Sequence, residues 1–529
     1  MARFTGRRYA TFDVVGAGPR VIAGISEKYG EVEYYTYEKA IRYQKALLGK
    51  DIVMISAMST DLTAAKKISI ILRSRGYRGL IIIGGPISFE YQKVLLEIPV
   101  DYVVVGEAEI PLGNLLSALQ SKNLDPSRIP AIAYRDRSGD VRLSSRHVHT
   151  PSEILNSIKP WTHVDKAFDY PCVYRFYVEV VRGCSNYYRP MINIPRHSCI
   201  HCFKCRSPVL EERLECPVGI PPGCGFCSVP YMFGPPRSRS VRSIVSEIEE
   251  LLAHGARRVV LSAPDFLDYG RESLVKGPLT DPCSPPTNLK AVEDLLNSIT
   301  SLEEVKTGRS VVMIENIKAC LVNEEVGNVL GRYLKDTTVH IGLETGCNWF
   351  NENILGKPIY LEHVLRASKI LRENGLRPYV YLMYDIPYAS RKVYVDNINS
   401  IHKLAETGVE KITLYKFINL PGTAFSDLKP EPVDIELVNN LRKIVNKYNL
   451  AKKRELIGRK IEAWVLETKR GVYAYPVHHG PVILVETPRT KMHLSGCRVL
   501  IEITDISPRL VEGRIISVLE CPVCPQHGR

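Results

Sequence analysis

The chain contains 529 residues, of which 45% are hydrophobic and 24% are charged, and its formal net charge is +13. This composition is typical of a folded protein of about three or four domains, and it excludes wholesale disorder, collagen-like repeats and a coiled-coil rod. No run of about 18 apolar residues is present, and the basic start leads into no apolar signal-peptide core. We therefore expect a cytoplasmic protein without a membrane span, and the basic charge agrees with an anionic partner such as RNA.

Residues 1–125 alternate between short apolar runs and helical patterns. The apolar runs lie at 51–56, 80–83 and 101–105, and a helical pattern covers 63–72. Continuous apolar strands that alternate with helices predict an α/β fold with a doubly wound parallel sheet. Residues 126–173 are interpreted as a connector with one hairpin candidate.

A second series of strands and helices is predicted over residues 174–450, interrupted by a cysteine-rich insertion at 185–223. The strand candidates are Tyr177–Val181, Arg258–Ser262, Ser310–Ile314, Thr338–Leu343, Tyr379–Met383 and Lys411–Tyr415. About six parallel βα units predict a full or partial (β/α) barrel. Residues 455–520 contain short strands separated by turns, which predicts a small all-β barrel at the C-terminus.

Half of the cysteines are concentrated in one stretch of the chain. The chain has 14 cysteines, and seven lie between Cys184 and Cys227. Thiols this dense in a cytoplasmic protein are metal ligands more often than disulfides. Cys224 and Cys227 can bind one [4Fe–4S] cluster with a third ligand from Cys184, or alternatively from Cys216, which leaves one iron without a protein ligand.

These residues resemble the signature of the radical S-adenosylmethionine (SAM) superfamily, C-x3-C-x2-C after the first barrel strand. Arg182-Gly-Cys184 and Cys224-Gly-Phe-Cys227 correspond to the two ends of that signature, with 39 residues inserted between them. Ile341-Gly-Leu-Glu-Thr-Gly346 is similar to the superfamily's G-x-E-S-G element, and Lys357 and Pro421-Gly-Thr423 follow in the expected order. The resemblance implies that Phe226, Gly342, Glu344 and Gly346 contact SAM.

The insertion carries a second pattern of metal ligands. Cys199, Cys202, Cys205 and Cys216-Pro217 resemble the ferredoxin run C-x2-C-x2-C…C-P with a longer last spacer. We expect a second [4Fe–4S] cluster here, and the alternative is a structural zinc site that could include His197 or His201.

The remaining cysteines carry weaker signals. Cys521 and Cys524, with His527 nearby, form half of a possible metal site. The others are interpreted as core or incidental thiols: Cys172, Cys283, Cys320, Cys347 and Cys497.

The N-terminal region resembles the cobalamin-binding domain that often precedes a radical SAM barrel. The matching positions are Ser59, Thr60, Gly84, Gly85 and Gly106. The chain lacks the D-x-H-x-x-G element that ligates cobalt, and its first histidine is His147. The resemblance thus implies either cobalamin bound without a histidine ligand or a domain that serves as a scaffold.

The C-terminal region resembles the TRAM domain of RNA-modifying enzymes. Basic side chains available to phosphates are Arg459, Lys460, Lys491, Arg498 and Arg514, and Tyr473 and Tyr475 could stack on bases. The alternative is a capping barrel with core aromatics.

Together these features identify the chain as a radical SAM enzyme of archaeal type with cobalamin-binding-like and TRAM-like domains. We expect reductive cleavage of SAM to a 5′-deoxyadenosyl radical, methylation of RNA (tRNA or rRNA) and an electron donor such as ferredoxin or flavodoxin. A methylthiotransferase is one alternative, although residues 1–171 lack the three cysteines of that family. The other is a non-catalytic RNA-binding protein with structural metal sites. No catalytic acid, base or hydrogen donor can be assigned from the sequence.

Overall fold

The computed structural model describes residues 13–430, 435–486 and 493–521. Its N-terminal sheet has five strands, in the order Ile52–Ser56, Leu80–Gly84, Tyr102–Val104, Ile132–Arg135 and Val141–Leu143. The first three are parallel, and the last two continue the sheet in antiparallel pairs. The hairpin expected in the connector therefore belongs to this sheet. The helices of this region are Ala17–Ser26, Tyr37–Arg42, Gln44–Leu47, Leu62–Ser74, Tyr91–Glu97 and Glu109–Gln120.

The central unit is an open, partial (β/α) barrel made of two parallel sheets. One has the order Val14–Val15, Arg175–Glu179, Arg258–Ser262 and Val311–Ile314, and the other has the order Asn316–Ile317, Thr338–Glu344, Arg377–Tyr384 and Lys411–Lys416. The sheets meet at Glu315, whose carbonyl accepts a hydrogen bond from the His340 N–H at 2.8 Å. The strand at Val14–Val15 pairs with Arg175 and Phe176, so the chain enters the barrel before it forms the N-terminal sheet.

Helices cover the outside of the partial barrel, and their apolar faces form its main core with the strands. They are Ser152–Ser157, Val164–Ala167, Val229–Phe233, Val241–Ala253, Leu289–Thr300, Glu303–Lys306, Glu324–Leu334, Leu361–Glu373, Arg391–Thr407 and Ile435–Arg454, with a π-helix at Phe350–Ile354. Short two-stranded pairings join Val181–Arg182 to Arg237–Ser238 and Asn193–Ile194 to His197–Ser198. None of the helices in the described ranges has the length and apolar character of a membrane span.

The C-terminal unit is a closed five-stranded barrel. Its order is Lys460–Thr468, Gly471–Pro476, Ile483–Val485, Val511–Glu520 and Arg498–Ile506. It packs against the N-terminal ends of the partial-barrel strands, where Trp464 and Tyr475 share a core with Val260 and Val311. The C-terminal barrel thus covers the end of the partial barrel at which the parallel strands begin.

This packing changes the expected roles of several C-terminal residues. Tyr475 is 5% exposed and lies in the core between the barrels, so the expectation that it stacks on bases is wrong. Tyr473 is half-buried beside the same core. Arg498 pairs with Glu462 and donates to the Gly308 carbonyl, because it also lies at the contact between the barrels.

The remaining basic positions differ in exposure and pairing. Arg514 is exposed but pairs with Glu502 at 2.9 Å. Arg459 and Lys460 are exposed. Lys491 lies outside the described residues.

Two disulfides correct the interpretation of the scattered cysteines. Cys283 is bonded to Cys320, and Cys497 is bonded to Cys521. Cys283, Cys320 and Cys497 are therefore not incidental thiols, because each has a partner that is distant in sequence and near in space. Cys172 and Cys347 are free thiols, and Cys524 and His527 lie outside the described residues.

Candidate active site

Cys184, Cys224 and Cys227 come together at the C-terminal edge of the partial barrel. Cys184 follows the strand Val181–Arg182 through Gly183, whose φ of +90° suits glycine, and a Cβ there would lie 2.3 Å from the Pro235 carbonyl oxygen. The Cys184 N–H donates to the Gly234 carbonyl at 3.1 Å. Cys224 and Cys227 share one tight turn, in which the Cys227 N–H donates to the Cys224 carbonyl at 2.8 Å.

Asn186 connects the two ends of this cysteine set. Its backbone N–H donates to the Cys184 sulfur at 3.4 Å, and its side-chain amide donates to the Cys224 sulfur at 3.1 Å and to the Gly356 carbonyl at 2.9 Å. Asn186 is 3% exposed, so these bonds are shielded from water. The sequence reasoning missed Asn186, because nothing local marks it as the partner of a cysteine 38 residues away.

The chemistry of these side chains fits an iron–sulfur cluster. Burial raises the pKa of all three thiols, that of Cys224 to about 11, although the nearby lysines Lys318 and Lys357 oppose this effect. Thiolates at such a position need positive charge, which iron supplies. Among the described residues, no three His, Cys, Asp or Glu side chains are close enough to hold a single metal ion.

The predicted SAM-contacting residues lie next to the cysteines. Glu344 is 7% exposed and pairs with Lys357 at 2.5 Å between Oε1 and Nζ. Burial lowers the pKa of Lys357, but the Glu344 carboxylate and the Cys224 thiol raise it by more, so the amine stays charged. A Cβ at Gly342 would lie 2.5 Å from the Glu344 carboxylate and 2.6 Å from the Lys357 amine, so a side chain here would displace the ends of both residues.

Gly346 and Phe226 complete the predicted set. A Cβ at Gly346 would lie 2.3 Å from the Asp396 carbonyl oxygen, so this glycine permits close packing on the helix Arg391–Thr407. Phe226 is half-buried in the apolar cluster beneath the cysteine loop.

A buried charged network supports the residue that follows Cys184. The Lys318 amine donates to Asp265 and Asp268 at 2.8 Å each and to the Ser185 hydroxyl at 2.9 Å. The Ser185 N–H also donates to Asp268 at 3.2 Å. Burial lowers the pKa of Lys318, but the two carboxylates raise it by more. The sequence reasoning missed this network as well, because its members come from three separate segments.

The predicted cobalamin-contacting residues lie together at the C-terminal edge of the N-terminal sheet. Ser59 and Thr60 follow the first strand, Gly84 and Gly85 end the second, and Gly106 follows the third. Gly85 and Gly106 have φ values of +86° and +82°, a backbone conformation that favours glycine over residues with a side chain. Bare backbone and two half-buried hydroxyls at this edge fit a bulky polar ligand.

Two histidines of the connector also lie at this edge. A Cβ at Gly106 would lie 2.8 Å from the His147 Cβ, and a Cβ at Gly234 would lie 2.5 Å from the His149 Nδ1. Burial lowers the pKa of both imidazoles. Residues 1–125 contain no histidine. His147, which belongs to the connector, therefore brings an imidazole to the predicted cobalamin edge.

Ion pairs join the C-terminal edge of the N-terminal sheet to the strand Val181–Arg182, which precedes Cys184. Glu107 is 3% exposed and pairs with Arg182 at 2.9 Å and with Arg237 at 2.6 Å, and Arg182 also pairs with Glu109 at 2.7 Å. Burial raises the pKa of the Glu107 carboxyl, but the two guanidiniums lower it by more. Because Gly234 contacts both His149 and the Cys184 N–H, the two edges face one another.

Two family models match the two units that carry these edges. The Radical SAM superfamily matches residues 216–401, and the B12 binding domain matches residues 8–116. The first match contains Cys224, Cys227 and Glu344 but not Cys184.

Similar proteins extend this result. An uncharacterized protein of Methanopyrus kandleri is 36% identical over 97% of this chain and 94% of its own length. A tRNA-2-methylthio-N(6)-dimethylallyladenosine synthase of Clostridium novyi is 24% identical over 46% of this chain and 50% of its own length. Among solved structures, the radical SAM methyltransferase TsrM of Kitasatospora setae, with cobalamin and a [4Fe–4S] cluster bound, has a TM-score of 0.57 at 14% identity, covering 78% of this chain and 73% of that chain. At this identity the likeness to TsrM shows the fold.

The protein is thus an enzyme of the radical SAM superfamily with a B12-binding domain. It belongs to one family with the Methanopyrus kandleri protein. SAM and a [4Fe–4S] cluster are the cofactors of this superfamily, and the N-terminal domain matches a family that is described as binding B12, which is cobalamin. This membership contradicts the alternative of a non-catalytic RNA-binding protein. The methylthiotransferases are distant relatives. The Clostridium novyi protein, for example, matches 46% of this chain.

Proposed function

We propose that the protein is a cobalamin-dependent radical SAM methyltransferase that acts on RNA in the cytoplasm. The observation that carries the proposal is the facing of the two cofactor edges, through the Arg182–Glu107 ion pair and the His149–Gly234 contact. A methyl carrier and a SAM-cleaving centre must reach one substrate, and edges that face one another support this requirement.

Cys184, Cys224 and Cys227 are the proposed ligands of the SAM cluster. The bound cluster would chelate SAM and deliver the electron that cleaves it, supplied by a donor of the ferredoxin or flavodoxin class. Asn186 donates hydrogen bonds to two of the sulfurs and so stabilises them as thiolates. The proposal prefers Cys184 to the alternative Cys216, because Cys216 lines a cavity with the other cysteines of the insertion.

The remaining residues orient the substrates. Glu344, held by Lys357, would accept a hydrogen bond from a hydroxyl or amine of bound SAM. Ser59, Thr60, Gly85 and Gly106 would hold the cobalamin tail, and bound cobalamin would supply the methyl group for transfer.

The enzymatic proposal is tested on anaerobically reconstituted protein. The wild type should form 5′-deoxyadenosine or methylated product from SAM with a strong reductant, and Cys224→Ala should form neither. Cys184→Ala should also be inactive, whereas Cys216→Ala should retain measurable SAM turnover. Cys347→Ala is the matched control, because Cys347 is a free thiol outside both cysteine sets. Full turnover by Cys224→Ala would overturn the ligand assignment.

RNA is proposed as the substrate on two grounds. The Clostridium novyi relative is named for a tRNA product, and the chain carries a net charge of +13. Arg459 and Lys460 are exposed on the C-terminal barrel, close in sequence to the exposed Arg454. Such cations bind phosphates and release counterions.

The RNA proposal is tested by charge reversal in the full chain. The double variant Arg459→Glu/Lys460→Glu should bind RNA more weakly, and its logarithmic salt slope should fall by about 0.7 to 0.9 for each lost phosphate contact. Lys276→Glu, an exposed position on the partial barrel, should bind RNA as the wild type does. Equal RNA affinity of the double variant and the wild type would remove the C-terminal barrel from RNA binding.

A further inference from the structure

The cysteine-rich insertion folds around one cavity. The thiols of Cys199, Cys202, Cys205 and Cys216 all line it, together with Arg189 and apolar side chains such as Val218. The four cysteines are free thiols, and none of them is paired in a disulfide. Four soft ligands in an apolar cavity match the chemistry of a thiolate-bound metal centre.

A buried guanidinium beside this cavity requires negative charge. Arg189 is 2% exposed and donates to the carbonyls of Arg213 at 2.6 Å, Ile220 at 2.8 Å and Leu214 at 2.9 Å. Two carboxylates of this region pair with other guanidiniums, Glu352 with Arg206 at 3.9 Å and Asp281 with Arg213 at 2.8 Å.

The candidates for this counter-charge are the cysteines that line the same cavity as Arg189, among them Cys202, Cys205 and Cys216. A buried charge is stable when it has a counter-charge, and a centre with four thiolates carries net negative charge.

The ligand run favours a cluster over a zinc ion. Cys199, Cys202, Cys205 and Cys216-Pro217 follow the ferredoxin pattern C-x2-C-x2-C…C-P. All four cysteines also line one cavity, so four thiolates are available without a histidine ligand.

We propose that the insertion binds a second [4Fe–4S] cluster through Cys199, Cys202, Cys205 and Cys216, with Arg189 as its buried counter-charge. With four protein ligands, this cluster has no iron open to SAM and is suited to electron transfer.

The position of the second cluster agrees with a role in electron delivery, a role that rests on the proposed function. Asn186 contacts the SAM-cluster cysteines and Arg189 lines the second cavity, and three residues span at most about 11 Å of backbone. Cys202 is exposed, and Ile200 and Phe203 beside it are 60% and 57% exposed. One electron from a reduced flavodoxin or ferredoxin would enter here, reduce the second cluster and pass on to the SAM cluster.

Metal content of the full-length protein tests the site. The wild type should contain about eight irons per chain, and the triple variant Cys199→Ala/Cys202→Ala/Cys205→Ala should contain about four. Cys224→Ala/Cys227→Ala should also lose about four, and Cys347→Ala should lose none. Because the triple variant could unfold the insertion, the single variant Cys202→Ala at an exposed position is measured with it. Its iron content should fall below that of Cys347→Ala, while its far-UV circular dichroism should match that of the wild type. Loss of one zinc with unchanged iron in the triple variant would overturn the proposal.

Two further measurements distinguish the role of this cluster from that of the SAM cluster. The triple variant should still cleave SAM with dithionite but lose most of its turnover with reduced flavodoxin, and equal loss with both reductants would overturn the role in electron delivery. In a redox titration, Arg189→Gln should lower the midpoint potential of the second cluster because a cation favours the more negative reduced state, and Arg189→Lys should restore it. An unchanged potential in Arg189→Gln would remove Arg189 as the counter-charge.

Discussion

Gly342 is the residue on which the Glu344–Lys357 pair depends. A methyl group at this position would overlap both charged groups, because its carbon would lie 2.5 Å and 2.6 Å from their atoms. Gly342→Ala should therefore separate the pair and weaken SAM binding by about tenfold or more, since a charge-assisted hydrogen bond contributes about 1.5–3 kcal/mol. Isothermal titration with SAM measures this effect.

Gly18→Ala is the matched control for this substitution. Gly18 lies in the helix Ala17–Ser26, and a Cβ there meets no atom within 4 Å. SAM affinity should not change in this variant. If Gly342→Ala also bound SAM normally, Glu344 would not be a SAM contact.

A similar comparison can be made for the turn that ends the second strand of the N-terminal sheet. Gly85 and Gly76 have φ values of +86° and +83°, but a Cβ at Gly85 would lie 2.8 Å from the Ala57 carbonyl oxygen, whereas a Cβ at Gly76 meets nothing. Gly76→Ala should cost about 1–2 kcal/mol of unfolding free energy from backbone strain alone, and Gly85→Ala should cost more. Gly85→Ala should also retain less cobalamin after gel filtration. Equal stabilities and equal cobalamin retention would show that the turn tolerates a side chain.

The contact between the two barrels predicts a dependence on pH. His340 stacks on Tyr379 with ring centroids 5.4 Å apart, and His479 bonds to Thr338 at 2.7 Å. Burial lowers the pKa of His340 to about 3 and lowers that of His479 well below its usual value. Both imidazoles stay neutral in the folded protein, whereas the unfolded chain takes up protons below about pH 6.5, so stability falls as the pH drops.

The size of this effect can be checked by chemical denaturation. At pH 5.5 His340 alone should cost about 1.4 kcal/mol relative to pH 7.5. The double variant His340→Gln/His479→Gln should unfold with a smaller difference between the two pH values. An equally large difference in the variant would assign the pH dependence to other groups.

Elements were easier to predict from the sequence than their partners. The strand candidates at 258–262 and 338–343 overlap observed strands, because buried parallel strands consist of continuous apolar runs. The strand at Gly471–Pro476 was missed, since a pattern of glycine, tyrosine and proline also suits a turn. Partners such as Asn186 and Cys224, or Arg182 and Glu107, leave no local pattern, because their contact exists only in the folded chain.

At the scale of the whole molecule, the disulfides fix distant segments. Cys283–Cys320 joins residues 37 apart. Cys497–Cys521 joins the residue before the strand Arg498–Ile506 to the residue after the strand Val511–Glu520, 24 residues away. Loop closure of this length contributes about 3.5–4 kcal/mol at 25 °C in the chain-entropy description.

Removal of the second disulfide should lower the thermal stability of the C-terminal barrel. Cys497→Ser/Cys521→Ser should unfold that unit at a lower temperature, by calorimetry or by limited proteolysis on heating. Cys347→Ser, which removes a free thiol, should match the wild type. An unchanged transition in the double variant would show that the barrel does not depend on this bond.

The same chain must hold sulfur in two oxidation states. Seven free cysteines lie between Cys184 and Cys227, while Cys283–Cys320 and Cys497–Cys521 are oxidised. A free thiolate attacks disulfides by exchange, and this attack stops when the thiolate is bound to metal. If the seven cysteines bind iron as proposed, metal loading would protect the correct cysteine pairing, and a chain that lost its iron would scramble its own disulfides.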